Sequence, residues 1–170
     1  MDEANILEKF KLVKTFVFDM DGVLTDGSLL ILNDNEWLRT MDIKDGYAMH
    51  VASNHKYRMV VISGSSSEPA RKRLNHLGVT DVFMGVDNKR DLLQKYISEH
   101  TLHPLEVLYM GDDIPDYGCM NLVGMPCCPA DAAAQIRQIA KYISPYKGGE
   151  GCVRDVIEKV LMLHDKWEVG

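Results

Sequence analysis

The sequence predicts an α/β fold of the Rossmann-like type, a parallel sheet with helices on both faces. Two observations predict it. Short apolar runs rich in β-branched and aromatic residues alternate with segments of helical periodicity along the chain. Polar residues suited to phosphate or metal chemistry follow the ends of four of these runs. We expect a single domain over 1–170, because this length is enough for one well-packed domain and too short for two ordinary ones.

Four runs are predicted as buried strands, and six segments as helices. The strands are KTFVFD (14–19), RMVVIS (58–63), a short strand within VTDVFMG (79–85), and EVLYMG (106–111). The helices are expected at about 45–55, 68–77, 89–100, 116–122, 132–141 and 153–163. The apolar segments LLIL and WLRTMDI flank the polar turn Asn33-Asp34-Asn35, which predicts a β-hairpin extension at about 28–43.

Composition and charge narrow the possible partners and location. The formal net charge is −6, so a nucleic acid or an anionic membrane surface would be repelled on average, and we expect neither as a partner. The first residues, MDEANILEKFKLVK, contain acids and lack the apolar run of a signal peptide. No stretch approaches the roughly 18 apolar residues of a membrane span. We therefore expect a cytoplasmic protein.

The residues at the predicted strand ends suit the hydrolysis of a phosphate monoester. Asp19 can attack phosphorus and form an aspartyl-phosphate, which divides one difficult step into two. Asp21 lies two residues later and points to the same side of an extended chain, where it can act as general acid and then as general base. Lys89 offers a positive charge to the transferring phosphoryl group, and the Ser63 hydroxyl and the amides around Gly64 offer hydrogen-bond donors.

Two carboxylates and a phosphate repel one another unless a cation lies among them. Mg²⁺ suits this role because it prefers oxygen ligands and retains several waters. Asp19, the main-chain carbonyl of Asp21, and Asp112 are the expected protein ligands. Asp113 and Asp116 are expected either as further ligands or as residues that hold Lys89 in position. The sequence thus predicts Mg²⁺ as the cofactor.

These residues resemble the four motifs of the haloacid dehalogenase superfamily of phosphatases. The motifs are Asp19-Met20-Asp21-Gly22-Val23-Leu24-Thr25-Asp26-Gly27, Ser63-Gly64, Lys89, and Gly111-Asp112-Asp113-x-x-Asp116. Large members insert a cap domain after the first or second motif. Here only a hairpin fits between Gly27 and Gly46, and only a helix and a short strand fit between Ser65 and Asn88. The chain therefore resembles the capless members.

Within that superfamily, the chain is similar to the small phosphatases of 3-deoxy-D-manno-octulosonate 8-phosphate and related sugar-acid phosphates. The resemblance is carried by Asp42–Tyr47, by the hairpin before it, and by Gly148-Gly149-Glu150-Gly151-Cys152-Val153-Arg154. It implies a homotetramer in which the hairpins pack together and help to cover neighbouring sites. It also implies sugar-acid contacts at Asp42, Ile43, Lys44, Asp45, Gly46, His50, Ser65 and Arg73.

Several alternatives remain open at this stage. The octulosonate phosphatases usually carry Arg where this chain has His50 and Ser65, so a nononate or sialic-acid 9-phosphate is the alternative substrate. A phosphoacceptor receiver domain uses similar groups, but it places its lysine last, whereas Lys89 precedes Asp112 and Asp113. A scaffold with an inactive site and a phosphomutase are weaker alternatives, because the expected chemical groups are present and a mutase normally needs a cap.

Overall fold

The computed structural model describes residues 3–32 and 37–167, in which strands and helices alternate. The strands are β1 Thr15–Phe18, β2 Leu30–Ile31, β3 Trp37–Leu38, β4 Arg58–Ile62, β5 Asp81–Phe83, β6 Val107–Met110, β7 Met125–Cys128 and β8 Tyr142–Ile143. The helices are α1 Glu3–Lys11, α2 Ile43–Asn54, α3 Glu68–His76, α4 Lys89–Glu99, α5 Tyr117–Met120, α6 Ala134–Ile139 and α7 Cys152–Leu163.

Six strands form one parallel sheet in the order β5-β4-β1-β6-β7-β8. The strand β1 lies between β4 and β6. Strands β4 and β5 extend the sheet on one side of β1, and strands β6, β7 and β8 extend it on the other, so the strand order reverses at β1. Ligands of such sheets bind beyond the carboxyl ends of the strands at this reversal of order. The residues that follow β1, β4 and β6 are therefore the ones that the topology brings together.

The strand side chains alternate between two apolar cores, one on each face of the sheet. Phe16 and Phe18 point into a core built with residues of α1, α2, α3 and α7, whereas Val17 points into a core built with α4, α5 and α6. Burial of each large apolar side chain stabilises the folded state by about 1.5–3 kcal/mol relative to an exposed side chain. The predicted parallel sheet with helices on both faces is thus confirmed. In the described parts of the chain, no helix combines the length and apolar character that a bilayer crossing needs.

Among the described strands and α-helices, α1, β7 and β8 were not predicted from the sequence. Pro126 lies within β7, which pairs with β6 on one side and β8 on the other, although proline is normally confined to edge strands because it lacks an N–H. Its carbonyl still accepts a hydrogen bond of 2.9 Å from the Lys141 amide. The strand therefore remains in the sheet through hydrogen bonds that its carbonyl groups accept and through the burial of its side chains on both faces.

The predicted hairpin is present as β2 and β3, with Leu30 opposite Leu38 and Ile31 opposite Trp37. Its predicted turn, Asn33-Asp34-Asn35, lies outside the described residues. At its base, Thr25 and Met41 form an antiparallel bridge. The outer side chains are strongly exposed: Leu30 by 61%, Ile31 by 66% and Trp37 by 55%.

A buried carboxylate from α2 caps the start of α7. The residue before α7 is Gly151, which has no side chain to satisfy the free amides of the first turn. Asp45 supplies the acceptor instead, since its Oδ1 lies 2.6 Å from the Arg154 amide nitrogen. Its side chain is almost fully buried, and burial raises its pKa to about 6 although the Arg154 amide opposes this shift. Asp45 therefore joins two helices that pack on the same face.

We expect Asp45→Ala to lower the free energy of unfolding by about 1–2 kcal/mol, because an amide of the first turn of α7 loses its acceptor. Asp45→Asn keeps an acceptor oxygen and should cost less at pH 7. Chemical denaturation of both variants measures the difference.

A comparison of Asp45→Asn with the unaltered protein tests the ionisation of Asp45. Its folded pKa, about 6, lies above the ordinary 3.8, so the folded state binds the extra proton between these values and its stability falls as pH rises through them. The stability of Asp45→Asn relative to the unaltered protein should therefore increase from pH 4 to pH 7. An unchanged difference over this range would contradict the assignment.

Candidate active site

A cleft of about 570 Å³ opens at the carboxyl ends of the central strands. It brings together the residues predicted from the four strand ends. The lining residues are Asp19, Asp21, Gly27, Ser63, Gly64, Ser65, Val86, Asp87, Asn88, Lys89, Arg90, Asp112, Asp113, Pro115 and Asp116.

The Lys89 ammonium lies between two buried carboxylates at the floor of the cleft. Its Nζ is 2.8 Å from Asp19 Oδ1 and 2.9 Å from Asp116 Oδ1. Burial alone would lower the pKa of Lys89, but the negative charges of Asp116 and Asp19 outweigh burial and raise it. Lys89 is therefore a fixed positive charge directly beside Asp19.

Asp116 holds this arrangement in place. Its Oδ1 also accepts a 2.7 Å hydrogen bond from the Tyr109 hydroxyl, and its Oδ2 accepts one of 3.1 Å from the Asp112 amide. Burial and the charge of Asp116 raise the pKa of Tyr109 well above its ordinary value, so the phenol remains a donor. Tyr109 was not predicted as a site residue, because its apolar strand gives no signal that its hydroxyl reaches Asp116.

Carboxylate oxygens of Asp19, Asp112 and Asp116 lie within 4.8 Å of one another. Burial and the charges of Asp116 and Asp113 raise the pKa of Asp112 to about 7, and burial and Asp116 raise that of Asp19. Among the described residues, Asp112 Oδ1 is buried without a hydrogen-bond partner. An excess of negative charge and an unsatisfied buried oxygen fit a hard divalent cation with oxygen ligands.

Gly22 allows Asp112 to approach the loop after β1. Its φ is +88°, and a Cβ at this position would lie 2.1 Å from Asp112 Oδ2. Any larger residue would displace a carboxylate of the cluster. The close approach of Asp112, in the fourth motif, thus explains why the first motif has a glycine at position 22.

Asp21 is held by two side chains from different parts of the chain. Arg39 Nε lies 2.5 Å from Asp21 Oδ1, and the Arg39 Nη2 nitrogen lies 3.3 Å from Oδ2. The Ser65 hydroxyl donates to Oδ2 over 2.5 Å. Ser65 in turn is linked to the buried Ser63, with 3.1 Å between their hydroxyl oxygens. Arg39 was not predicted as a site residue, because only the folded hairpin brings it to Asp21.

The other predicted substrate contacts do not line this cleft. Asp42 is the N-cap of α2 and accepts from the Lys44 and Asp45 amides. The remaining positions are either at the surface or against another helix. Ile43, Lys44 and His50 are exposed, Asp45 is buried against α7, and Gly46 lies against the Arg73 guanidinium. Within one chain, the sequence-predicted set therefore divides into a cleft group and a group on α2 and α3.

No protein-family model matches the chain. Comparison with individual known proteins finds similar phosphatases by sequence and by structure. KdsC of Escherichia coli K12, a 3-deoxy-D-manno-octulosonate 8-phosphate phosphatase, is 29% identical over 163 residues, which cover 96% of this chain and 87% of KdsC. The structure of a Moraxella catarrhalis 3-deoxy-D-manno-octulosonate 8-phosphate phosphatase, in complex with a magnesium ion, a phosphate ion and a KDO molecule, has a TM-score of 0.91 at 26% identity. That match covers 95% of this chain and 93% of the Moraxella chain.

A Pseudomonas syringae protein assigned to the YrbI phosphatase family is 32% identical with a TM-score of 0.92, and the match covers 96% of this chain and 93% of that one. The four motifs, the short connections that leave no room for a cap domain, and these matches all indicate the same superfamily. The chain therefore belongs to the haloacid dehalogenase superfamily, in its capless family of phosphatases that includes the 3-deoxy-D-manno-octulosonate 8-phosphate phosphatases.

Proposed function

We propose that this chain is a Mg²⁺-dependent phosphomonoesterase that hydrolyses 3-deoxy-D-manno-octulosonate 8-phosphate to the free sugar acid and phosphate. The observation that carries the proposal is the buried contact of Lys89 with Asp19, beside Asp21 in an open cleft. The relatives named for this substrate, one of them bound to magnesium, phosphate and KDO, support the choice of substrate and cation.

The first step is the attack of Asp19 on phosphorus. Among the described residues, the hydrogen-bond and ion-pair contacts of Asp19 fall on Oδ1, which leaves Oδ2 for the attack. The bond from phosphorus to the leaving oxygen breaks, and Asp21 gives that oxygen a proton. Lys89 offsets negative charge on the phosphoryl oxygens, and Ser63 with the Gly64 amide is placed to donate hydrogen bonds to them.

The second step is hydrolysis of the aspartyl-phosphate. Asp21, now a carboxylate, takes a proton from water while the water oxygen attacks phosphorus. The bond between phosphorus and Asp19 breaks, and its electron pair returns to the Asp19 carboxylate. Phosphate leaves and the initial state is restored.

The cation site consists of the carboxylates of Asp19 and Asp112 and the main-chain carbonyl of Asp21. A bound Mg²⁺ supplies charge neutralisation for the substrate phosphate and the surrounding carboxylates. Asp116 belongs to the same carboxylate cluster, but its contacts with Lys89 and Tyr109 favour a positioning role. Asp113 caps a short 3-10 helix, Ile114–Asp116, and so fixes the loop that carries Asp112.

The assembly is expected to be a cytoplasmic homotetramer. Support comes from the exposed apolar hairpin, since a contiguous apolar patch usually marks an interface. A neighbouring subunit also offers a role for the residues outside the cleft: Asp42–Gly46, His50 and Arg73 would contact sugar acid bound in the adjacent site.

We expect kcat/KM with Mg²⁺ to be highest for octulosonate 8-phosphate in a panel that includes nononate 9-phosphate and simple sugar phosphates. The preference over the simple sugar phosphates should be at least about 10-fold, because specific polar contacts discriminate more strongly than a shared phosphate. Asp19→Asn should abolish turnover while its circular dichroism spectrum stays unchanged. Equal kcat/KM across the panel would refute the substrate, and an active Asp19→Asn variant would refute the mechanism.

Mg²⁺ should raise the melting temperature of the unaltered protein, because a cation that binds only the folded state stabilises it by about 2.7 kcal/mol at a hundredfold excess over its Kd. Asp112→Asn should largely lose this shift. Asp165→Asn changes an exposed carboxylate beyond α7 in the same way and should retain it. Thermal denaturation with and without MgCl₂ tests all three proteins, and an equal shift in the Asp112 variant would contradict the assigned ligand.

Leu30→Lys should shift the protein from tetramer to smaller species in sedimentation velocity, because a charge would be placed in the proposed interface. Leu105→Lys is the matched control, since this leucine is 54% exposed, close to the 61% of Leu30, but lies away from the hairpin. A tetramer that survives Leu30→Lys, or an unaltered protein that is monomeric, would exclude the hairpin as the interface.

A further inference from the structure

The hairpin has a charged side chain on its inner side that its proposed role in assembly does not explain. Trp37 and Leu38 in β3 are exposed by 55% and 46%, whereas the next residue, Arg39, has a side chain only 6% exposed. Burying a guanidinium is costly unless it is paired. Its partner is Asp21, the proposed acid–base residue.

The contact between Arg39 and Asp21 is directional. The guanidinium meets both carboxylate oxygens, at 2.5 Å and 3.3 Å, and Ser65 donates to one of them. A two-point contact fixes the plane of a carboxylate as well as its position. The bridge between Thr25 and Met41 holds the base of the hairpin against the loop of the first motif. The backbone position from which the Arg39 side chain extends is therefore fixed relative to Asp21.

We propose that Arg39 is a positioning residue that aligns the Asp21 carboxylate as general base for hydrolysis of the aspartyl-phosphate. The Arg39 guanidinium donates to both oxygens of Asp21, so it fixes the direction in which this carboxylate faces an attacking water. The inference rests on the proposed function, because it concerns the second step of that reaction. It assigns a role in chemistry to the hairpin, beyond its role as an interface.

The two steps can be separated with p-nitrophenyl phosphate. Nitrophenolate leaves without being protonated, so formation of the aspartyl-phosphate needs no acid, whereas its hydrolysis still needs Asp21 as base. In Arg39→Met we expect rapid release of about one nitrophenolate per site, followed by a steady-state rate about 10- to 100-fold below that of the unaltered protein. The phosphorylated enzyme should accumulate and be visible by intact-mass spectrometry.

Three further proteins complete the test. Arg39→Lys keeps the charge and should recover much of the steady-state rate. Arg39→Gln removes the charge with a polar side chain, and it replaces the Met variant if that variant does not fold. Arg137→Met removes an exposed arginine of α6 and should behave as the unaltered protein.

The inference is overturned if the burst rate and the steady-state rate fall together in the uncharged variants, or if neither changes. It is also overturned if Arg39→Lys is as slow as Arg39→Met. If the unaltered protein with Mg²⁺ hydrolyses no phosphate ester, the proposed function itself fails. Turnover by the unaltered protein with unchanged rates in the variants would refute only the role of Arg39.

Discussion

The site depends on the Lys89 ammonium between Asp19 and Asp116. A buried charge of this kind is stable only when its partners are also fixed and satisfied, since the cost of removing ions from water is recovered only by good geometry. Tyr109 and the Asp112 amide complete the hydrogen bonds of Asp116, so the loops after β1 and β6 and the start of α4 are tied to one point. Asp19 thereby acquires both its position and its neighbouring positive charge.

Much of the fold could be predicted because the inner strands are continuous apolar runs, and such runs are typical of parallel strands covered on both faces. The strand β7 could not, since Pro126 contradicts the usual signal of a central strand. The helix α1 was missed for a different reason. Its sequence is short and rich in charge, and it is held by packing of residues such as Phe10 against the sheet, a contact that local sequence does not encode.

The same distinction applies to the site. Asp19, Ser63, Lys89 and Asp112 could be predicted because the ends of neighbouring parallel strands meet at one edge. Arg39 and Tyr109 could not, because their roles depend on where a hairpin folds back and on which polar atom a buried hydroxyl meets. The residues from Asp42 to Gly46 were predicted only from family resemblance. Within one chain they lie outside the cleft, where Asp42 caps α2 and Asp45 caps α7.

The hairpin illustrates how one short segment serves two physical demands. Its outward side chains are apolar and exposed, which favours burial against another surface, whereas Arg39 turns inward to a carboxylate of the cleft. Both sets of side chains depend on the same backbone, which is anchored at the Thr25–Met41 bridge close to the first motif. A capless chain has no cap domain over its cleft. Here an arginine on the hairpin supplies a fixed partner for Asp21, so any contact that stabilises the hairpin also stabilises the orientation of the Asp21 carboxylate.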